Sequence, residues 1–225
     1  MKSNELPIYT PAQAAALREH VSHRYKSEIF TNRVPQMIGG EVLECRYGDP
    51  DRPSLFESYF YTCGMGAREM EAPAGAARRI EFLMLGNAFE NIDHDIAVIR
   101  EELSRLMRCP LARGEWYGAG HTLAASNLFT EAFGYPYLLL RGADMLIPPA
   151  ELPELGAVHF LQALPIHAEE LEWIESHSDG AARFLSEYFF YFDGWDDIGD
   201  VNYSRGVLIP RDWDIVQAVH HEMTK

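Results

Sequence analysis

Between Ala157 and Ala163 apolar side chains fill both sets of alternating positions: Val158 and Phe160 with Gln162 on one side, His159, Leu161 and Ala163 on the other. A strand with two largely apolar faces needs cover on both, so this segment is expected inside a sheet. Pro165 is expected to end it. Glu169 and Glu170 then stand where the positive end of a helix favours carboxylates, with Leu171, Ile174 and Trp173 on the buried side. Ser178-Asp179-Gly180 breaks that helix, and a second follows with Ala181, Phe184, Leu185 and Tyr188 at helical spacing.

The rest of the chain alternates between the same two periods. Thr10-Pro11-Ala12-Gln13 offers a cap, a proline at the first helical position and a capping-box glutamine. The helix they open carries Ala14, Leu17, Val21 and Tyr25 along its inner stripe and is expected to end near Lys26. Gly39-Gly40 separates Val34 to Ile38 from Val42 to Tyr47, a hairpin whose first arm Pro35 confines to an edge. Residues 55 to 63 and 79 to 85 read as strands. Asp93 is placed to cap a helix with Ile96, Ile99, Leu103 and Leu106 on one face and Arg100, Glu101 and Arg105 outside, stopped by Cys109-Pro110. Strands near 116 to 123, 136 to 141 and 156 to 163 follow, with helices toward the C-terminus. Strands in a run and helices grouped at the ends predict an α+β fold, a mixed or antiparallel central sheet flanked by helices. No linker, repeat or low-complexity tract divides the chain, so residues 1 to 225 are expected to form one domain.

Four segments, in this order, carry a resemblance. They are Tyr59 to Met65, with its glycine turn; Ile80-Glu81-Phe82-Leu83-Met84-Leu85, a glutamate in an apolar run; Ile96 to Met107 followed by Gly118-Ala-Gly120-His121-Thr-Leu123; and Ala157 to Leu185. Together they resemble the Suppressor of fused domain over roughly residues 55 to 190, in the form that stands alone in bacterial proteins. The resemblance implies a protein-binding module. In animals that means a regulator gripping an extended peptide of a transcription factor by strand addition; in bacteria it means an immunity protein that neutralises a cognate toxin, and the bacterial setting fits the size. The family's peptide-binding region falls around the turn Gly64 to Glu71, which nominates Met65, Glu69, Met70 and Glu71 as partner-binding residues. Edge-strand augmentation with a carboxylate clamp is the physical mode this suggests.

Charge narrows the partner. The chain carries a net charge of -15, which argues against nucleic acid, because phosphate binding depends on clustered Lys and Arg. Between Glu169 and Asp200 ten acidic residues face Arg183 alone, interleaved with Trp173, Phe184, Tyr188 and Trp195. Many of these aromatics belong to a core under a solvated acidic face. The remainder suggest anchors in an acidic surface that steers a basic protein or peptide, with Asp193, Trp195, Asp196 and Asp197 as the local candidates. Cys45, Cys63 and Cys109 have no framework or zinc spacing and read as reduced, buried thiols. Met1 to Glu5 has no apolar signal core and no run approaches the roughly 18 apolar residues of a membrane span, so the cytoplasm is the default.

The signatures of enzymes are missing: no Gly-x-Ser-x-Gly elbow, Walker loop or His-Glu-x-x-His helix occurs. His20 and His23 lie one turn apart on the first helix but read as a solvent-facing pair, and His220-His221-Glu222 as diverging side chains. His121, after two glycines, is the centre of the alternative reading, a small hydrolase or metal-dependent enzyme. Glu81 in its apolar strand is either solvent-facing or buried against a cation. A self-associating scaffold is a third reading, needing only an exposed apolar patch. The balance of residues favours a non-enzymatic binding module without metal or cofactor. Its oligomeric state is not legible.

Overall fold

The computed structural model describes residues 9–25, 29–30, 41–48, 56–87, 92–113, 115–144, 146–191 and 207. Seven strands run in the order β1 (Ile29–Phe30), β2 (Glu41–Gly48), β3 (Phe56–Cys63), β4 (Ile80–Asn87), β8 (Gly156–Ile166), β6 (Tyr137–Gly142) and β5 (Thr122–Ala124). A short strand, β7 (Ala150–Leu152), pairs with the start of β8. All neighbours are antiparallel except β4 and β8, which run parallel in the register Glu81↔Phe160. The sheet is therefore mixed, and with five helices among the described residues the fold is α+β.

Alternation along the central strands divides the core. On one face Val42, Phe60, Phe82, Met84, Leu138 and Leu161 pack under helix α2 (Ile92–Arg113) and the short α3 (Asn127–Phe133). On the other, Leu43, Tyr61, Leu83, Val158 and Phe160 meet α1 (Pro11–Tyr25). Leu139, Leu164 and Ile166 on that same side pack against α4 (Ala168–Glu175) and α5 (Gly180–Tyr191). Two-sided cover is what the apolar run of β8 requires.

The capping box of α1 forms as expected: Gln13 N donates to Thr10 Oγ1 at 3.3 Å and Thr10 N to Gln13 Oε1 at 3.0 Å. The Gln13 amide also donates to the Pro153 carbonyl at 2.9 Å, so one side chain both starts the helix and ties it to the β7 end of the sheet. Leu17 and Val21 are buried beneath it. Three expectations need correction. Pro165 lies inside β8, opposite Leu138, because the β4 ladder stops at Gln162 and the strand beyond has a single neighbour, as at an edge. Cys109-Pro110 does not stop α2, which reaches Arg113; the proline removes one hydrogen bond near the helix end, where few remain to lose. Asp93 lies in the first turn of α2 rather than capping it.

The strand expected at 116 to 123 is shorter and begins at Thr122. β1, α3 and β7 are not among the expected elements, although Ser126, whose hydroxyl accepts the Phe129 N–H at 3.1 Å, and the left-handed Gly134 bracket α3 as good caps. The expected arm at 34 to 38 lies outside the described residues. No described helix is long and apolar enough to cross a membrane.

Candidate functional site

β3 ends at Cys63, and the chain must reverse to enter β4. Gly64 takes φ 138°, a backbone region that L side chains avoid, and a single turn of 3-10 helix follows over Met65–Ala67. The loop then runs to Arg79 and closes on itself, Met70 N donating to the Arg78 carbonyl at 2.8 Å. Glu69, Met70, Glu71, Ala72 and Arg78 line an open groove of about 510 Å³ on this loop. Arg78 Nη1 lies 3.0 Å from Glu69 Oε1 and Arg79 Nη2 lies 3.7 Å from Glu69 Oε2. Both cations therefore face Glu69. Glu71 is exposed and has no ion pair among the described residues.

Of the four residues nominated on this turn, the structure places Glu69 and Glu71 at the surface and the other two in the interior. Met65 and Met70 are 2% and 4% exposed and belong to the core under α2. Their apolar side chains anchor the loop instead of facing outward. Asp193, Trp195, Asp196 and Asp197 lie outside the described residues. Nearer in the chain, Glu169, Glu172 and Glu175 are exposed on α4, whereas Glu170 is buried and accepts the His167 N–H at 2.8 Å. Trp173 on the same helix is half-buried, with the His177 ring 4.3 Å from its centroid and the Arg183 guanidinium 5.4 Å from it.

Glu81 fits neither alternative posed by the sequence. Its carboxyl is fully buried, yet the partners around it are neutral donors. Gly64 N and Gly66 N each lie 3.0 Å from Oε1, Thr62 Oγ1 donates to Oε2, and the Tyr9 hydroxyl stands beside the carboxyl. Burial pushes the Glu81 carboxyl above the ordinary carboxylate range, while the bonds from Thr62, Gly66 and Gly64, and the nearby Tyr9 hydroxyl, pull it down. Burial, and after it the Glu81 charge, raise the Tyr9 hydroxyl, which stays protonated.

The folded state thus holds the Glu81 proton more tightly than the unfolded chain. The stability this contributes is full below the ordinary carboxyl range and is lost as pH rises through the folded value. Urea unfolding of the wild type and of Glu81→Gln, at about pH 5 and about pH 7, checks the sign. The advantage of the wild type over the variant is expected to shrink toward pH 7; an advantage that grows with pH contradicts it.

His121 sits edge-on to Trp116, with ring centroids 4.8 Å apart, and within 6.4 Å of Tyr117. Trp116 in turn donates from Nε1 to the Ala77 carbonyl at 3.1 Å, fastening this aromatic group to the far side of the groove loop. Among the described residues no group of three or more His, Cys, Asp or Glu side chains is placed to hold a metal ion. His20 is not paired with His23: its ring lies parallel to Phe160 and its Nε2 is 2.8 Å from the Pro148 carbonyl. Sequence reasoning missed the roles of Arg78 and Arg79. The signal was present, since two acids and two arginines flank a Pro73 and Gly75 reversal.

Comparison with known proteins gives the family and the fold. The family described as Suppressor of fused protein (SUFU) matches residues 41–199. No curated protein matches in sequence. A crystal structure of a Sufu–Fu complex superposes with a TM-score of 0.64 at 15% identity, covering 93% of this chain and 97% of the other. A Suppressor of fused homologue from Neisseria gonorrhoeae gives a TM-score of 0.58 at 16% identity, covering 88% and 97%. Drosophila Suppressor of Fused gives 0.64 at 14% identity; 97% of this chain matches 57% of that longer protein.

Proposed function

The chain belongs to the Suppressor of fused family, and from that premise we propose that it is a non-enzymatic module that captures a basic, extended segment of another protein. The observation that carries this reading is the groove on the loop between β3 and β4, which presents Glu69 and Glu71 on the turn that the resemblance nominates for peptide binding. Glu71, exposed and with no ion pair among the described residues, supplies the charge for an incoming Lys or Arg, and half-buried Ala72 in the groove lining accepts the aliphatic stem of such a side chain. The similar Sufu–Fu structure, itself a complex of two proteins, supports the class of partner. In a bacterial cell the partner would be a cognate toxin and the module its cytoplasmic immunity protein.

The acidic stretch from Glu169 to Asp200 is a second proposed binding region, with Asp193, Trp195, Asp196 and Asp197 as its contribution to partner binding. Glu169, Glu172 and Glu175, exposed on α4, support an acidic surface there.

Affinity capture from the source cell followed by surface plasmon resonance tests the proposal. Glu71→Lys is expected to slow association with the captured partner by about fivefold at low ionic strength, with the effect shrinking as salt screens it. Its folding should stay within about 0.5 kcal/mol of the wild type, as for most exposed charges. An association rate unchanged by Glu71→Lys at low salt removes the groove from the interface.

A further inference from the structure

The loop that carries the groove is gripped from both sides by two residues at one strand entry. Arg79 and Glu81 flank Ile80, the first residue of β4, and both reach the same turn. Arg79 Nη1 donates to the carbonyls of Gly66 at 3.0 Å and Ala67 at 2.9 Å. Glu81 Oε1 accepts the N–H groups of Gly64 and Gly66, each at 3.0 Å. The cation takes the turn's acceptors and the acid takes its donors. Thr62, whose hydroxyl donates to Glu81 and accepts the Phe82 N–H at 2.8 Å, closes the set.

The turn has no slack. A Cβ on Gly66 would meet the Tyr9 hydroxyl and stand 2.8 Å from Val158 Cγ1, so its backbone lies directly against Tyr9 and β8. Met65 is driven into the core on one side of Gly66, and Met70 on the other side of the loop. Between these two anchors hang Ala67, Arg68 and Glu69, and the groove begins at Glu69. What fixes residues 64 to 67 therefore also fixes the direction in which the groove wall leaves the core.

We propose that Glu81 is a positioning residue for the binding groove: it touches no partner, but by holding the Gly64 and Gly66 amides it sets the wall that bears Glu69 and Glu71. This rests on the groove being the binding site. A carbonyl oxygen in the place of Oε1 can still accept both amides, whereas an apolar side chain leaves two buried N–H groups without an acceptor. The two replacements therefore separate positioning from mere bulk.

The test combines amide hydrogen exchange by NMR with binding of a fluorescein-labelled Arg-Gly repeat peptide, read by anisotropy at low salt. Wild type, Glu81→Leu, Glu81→Gln and Glu71→Lys are compared. In Glu81→Leu the Gly64 and Gly66 amides are expected to exchange about tenfold faster or more, while Leu139 and Ala163 in the central strands keep their protection. Probe affinity is expected to fall about as far as in Glu71→Lys, and Glu81→Gln is expected to restore both. Loss of protection spread evenly over the chain, or unchanged probe binding in Glu81→Leu while Glu71→Lys weakens it, overturns the positioning role and leaves the groove standing. Binding that Glu71→Lys does not weaken removes the groove and this role together. If Glu81→Leu does not fold, the wild type decides: Gly64 and Gly66 must be protected like the central strands, and exchange as fast as that of Gly75 in its open turn overturns the proposal.

Discussion

Phe160→Ala is expected to lower the free energy of unfolding by about 4 kcal/mol, the largest effect of any single truncation considered. Phe160 is fully buried at the centre of the sheet, in β8, with β4 alongside it in parallel register and the His20 ring stacked 6.3 Å away at an interplanar angle of 6°. It belongs to the cluster that joins α1, β7 and four strands. Removing the ring costs its transfer free energy and leaves a cavity between α1 and the sheet, which strands paired on both sides cannot close by collapsing. Leu161 points to the other face, into the cluster under α2, so Leu161→Ala should cost about 3 kcal/mol by a separate route. Urea unfolding at fixed pH measures both, and losses under about 0.5 kcal/mol for the pair would mean that β8 is not the covered strand described.

Arg100→Ala is the second large effect, with an expected loss of about 3 kcal/mol. The Glu44 side chain is fully buried on β2, where Arg100 Nη2 from α2 meets Oε2 at 2.8 Å and the Ser58 hydroxyl reaches Oε1 at 3.2 Å. Truncating the arginine takes from this buried carboxylate the cation that meets its Oε2, which costs far more than the pair itself contributes. Combining Arg100→Met with Glu44→Leu should recover most of the loss, because two apolar side chains of similar size need no partners. A double mutant no more stable than Arg100→Ala alone would show that the ion pair is not the source of the effect.

The same residue shows where sequence reasoning reaches and where it fails. Arg100 reads as an outward charge on the polar side of an amphipathic helix, and α2 does bury Ile96, Ile99, Leu103 and Leu106 as its period requires. Its partner lies 56 positions earlier in the chain, on a strand whose own alternation gives no sign that a glutamate there faces the core. Glu102, also buried, accepts from Arg105 and from the Ser126 N–H, and Glu81 is equally hidden. Burial of a carboxylate depends on donors that arrive from distant segments, and local pattern carries no record of them. Periodicity was enough for β3, β4, β8 and α1. It was not enough for β5 and β7, each three residues long, since so short an element has too few alternations to register.

The candidate site was legible only in part, for a related reason. The four-segment resemblance located the turn after β3, and the glycines marked the reversal. Within an irregular turn, however, side-chain direction has no period, so Met65 and Met70 could not be told from Glu69 and Glu71 by spacing. The donor set on Glu81 and the Arg79 grip on Gly66 and Ala67 emerge only once β4 is laid against β3. The pairing is what turns a glutamate in an apolar strand into the support of a surface loop.

A partner protein bound on the loop between β3 and β4, as proposed, shields that loop from solvent. Hydrogen–deuterium exchange of the protein alone and saturated with its affinity-captured partner tests this most directly. Slowed exchange over residues 68 to 78, with the central strands β4, β6 and β8 unchanged, is the predicted result; an unchanged loop with protection confined to α4 and α5 or to the sheet edges at β1 and β5 would contradict it.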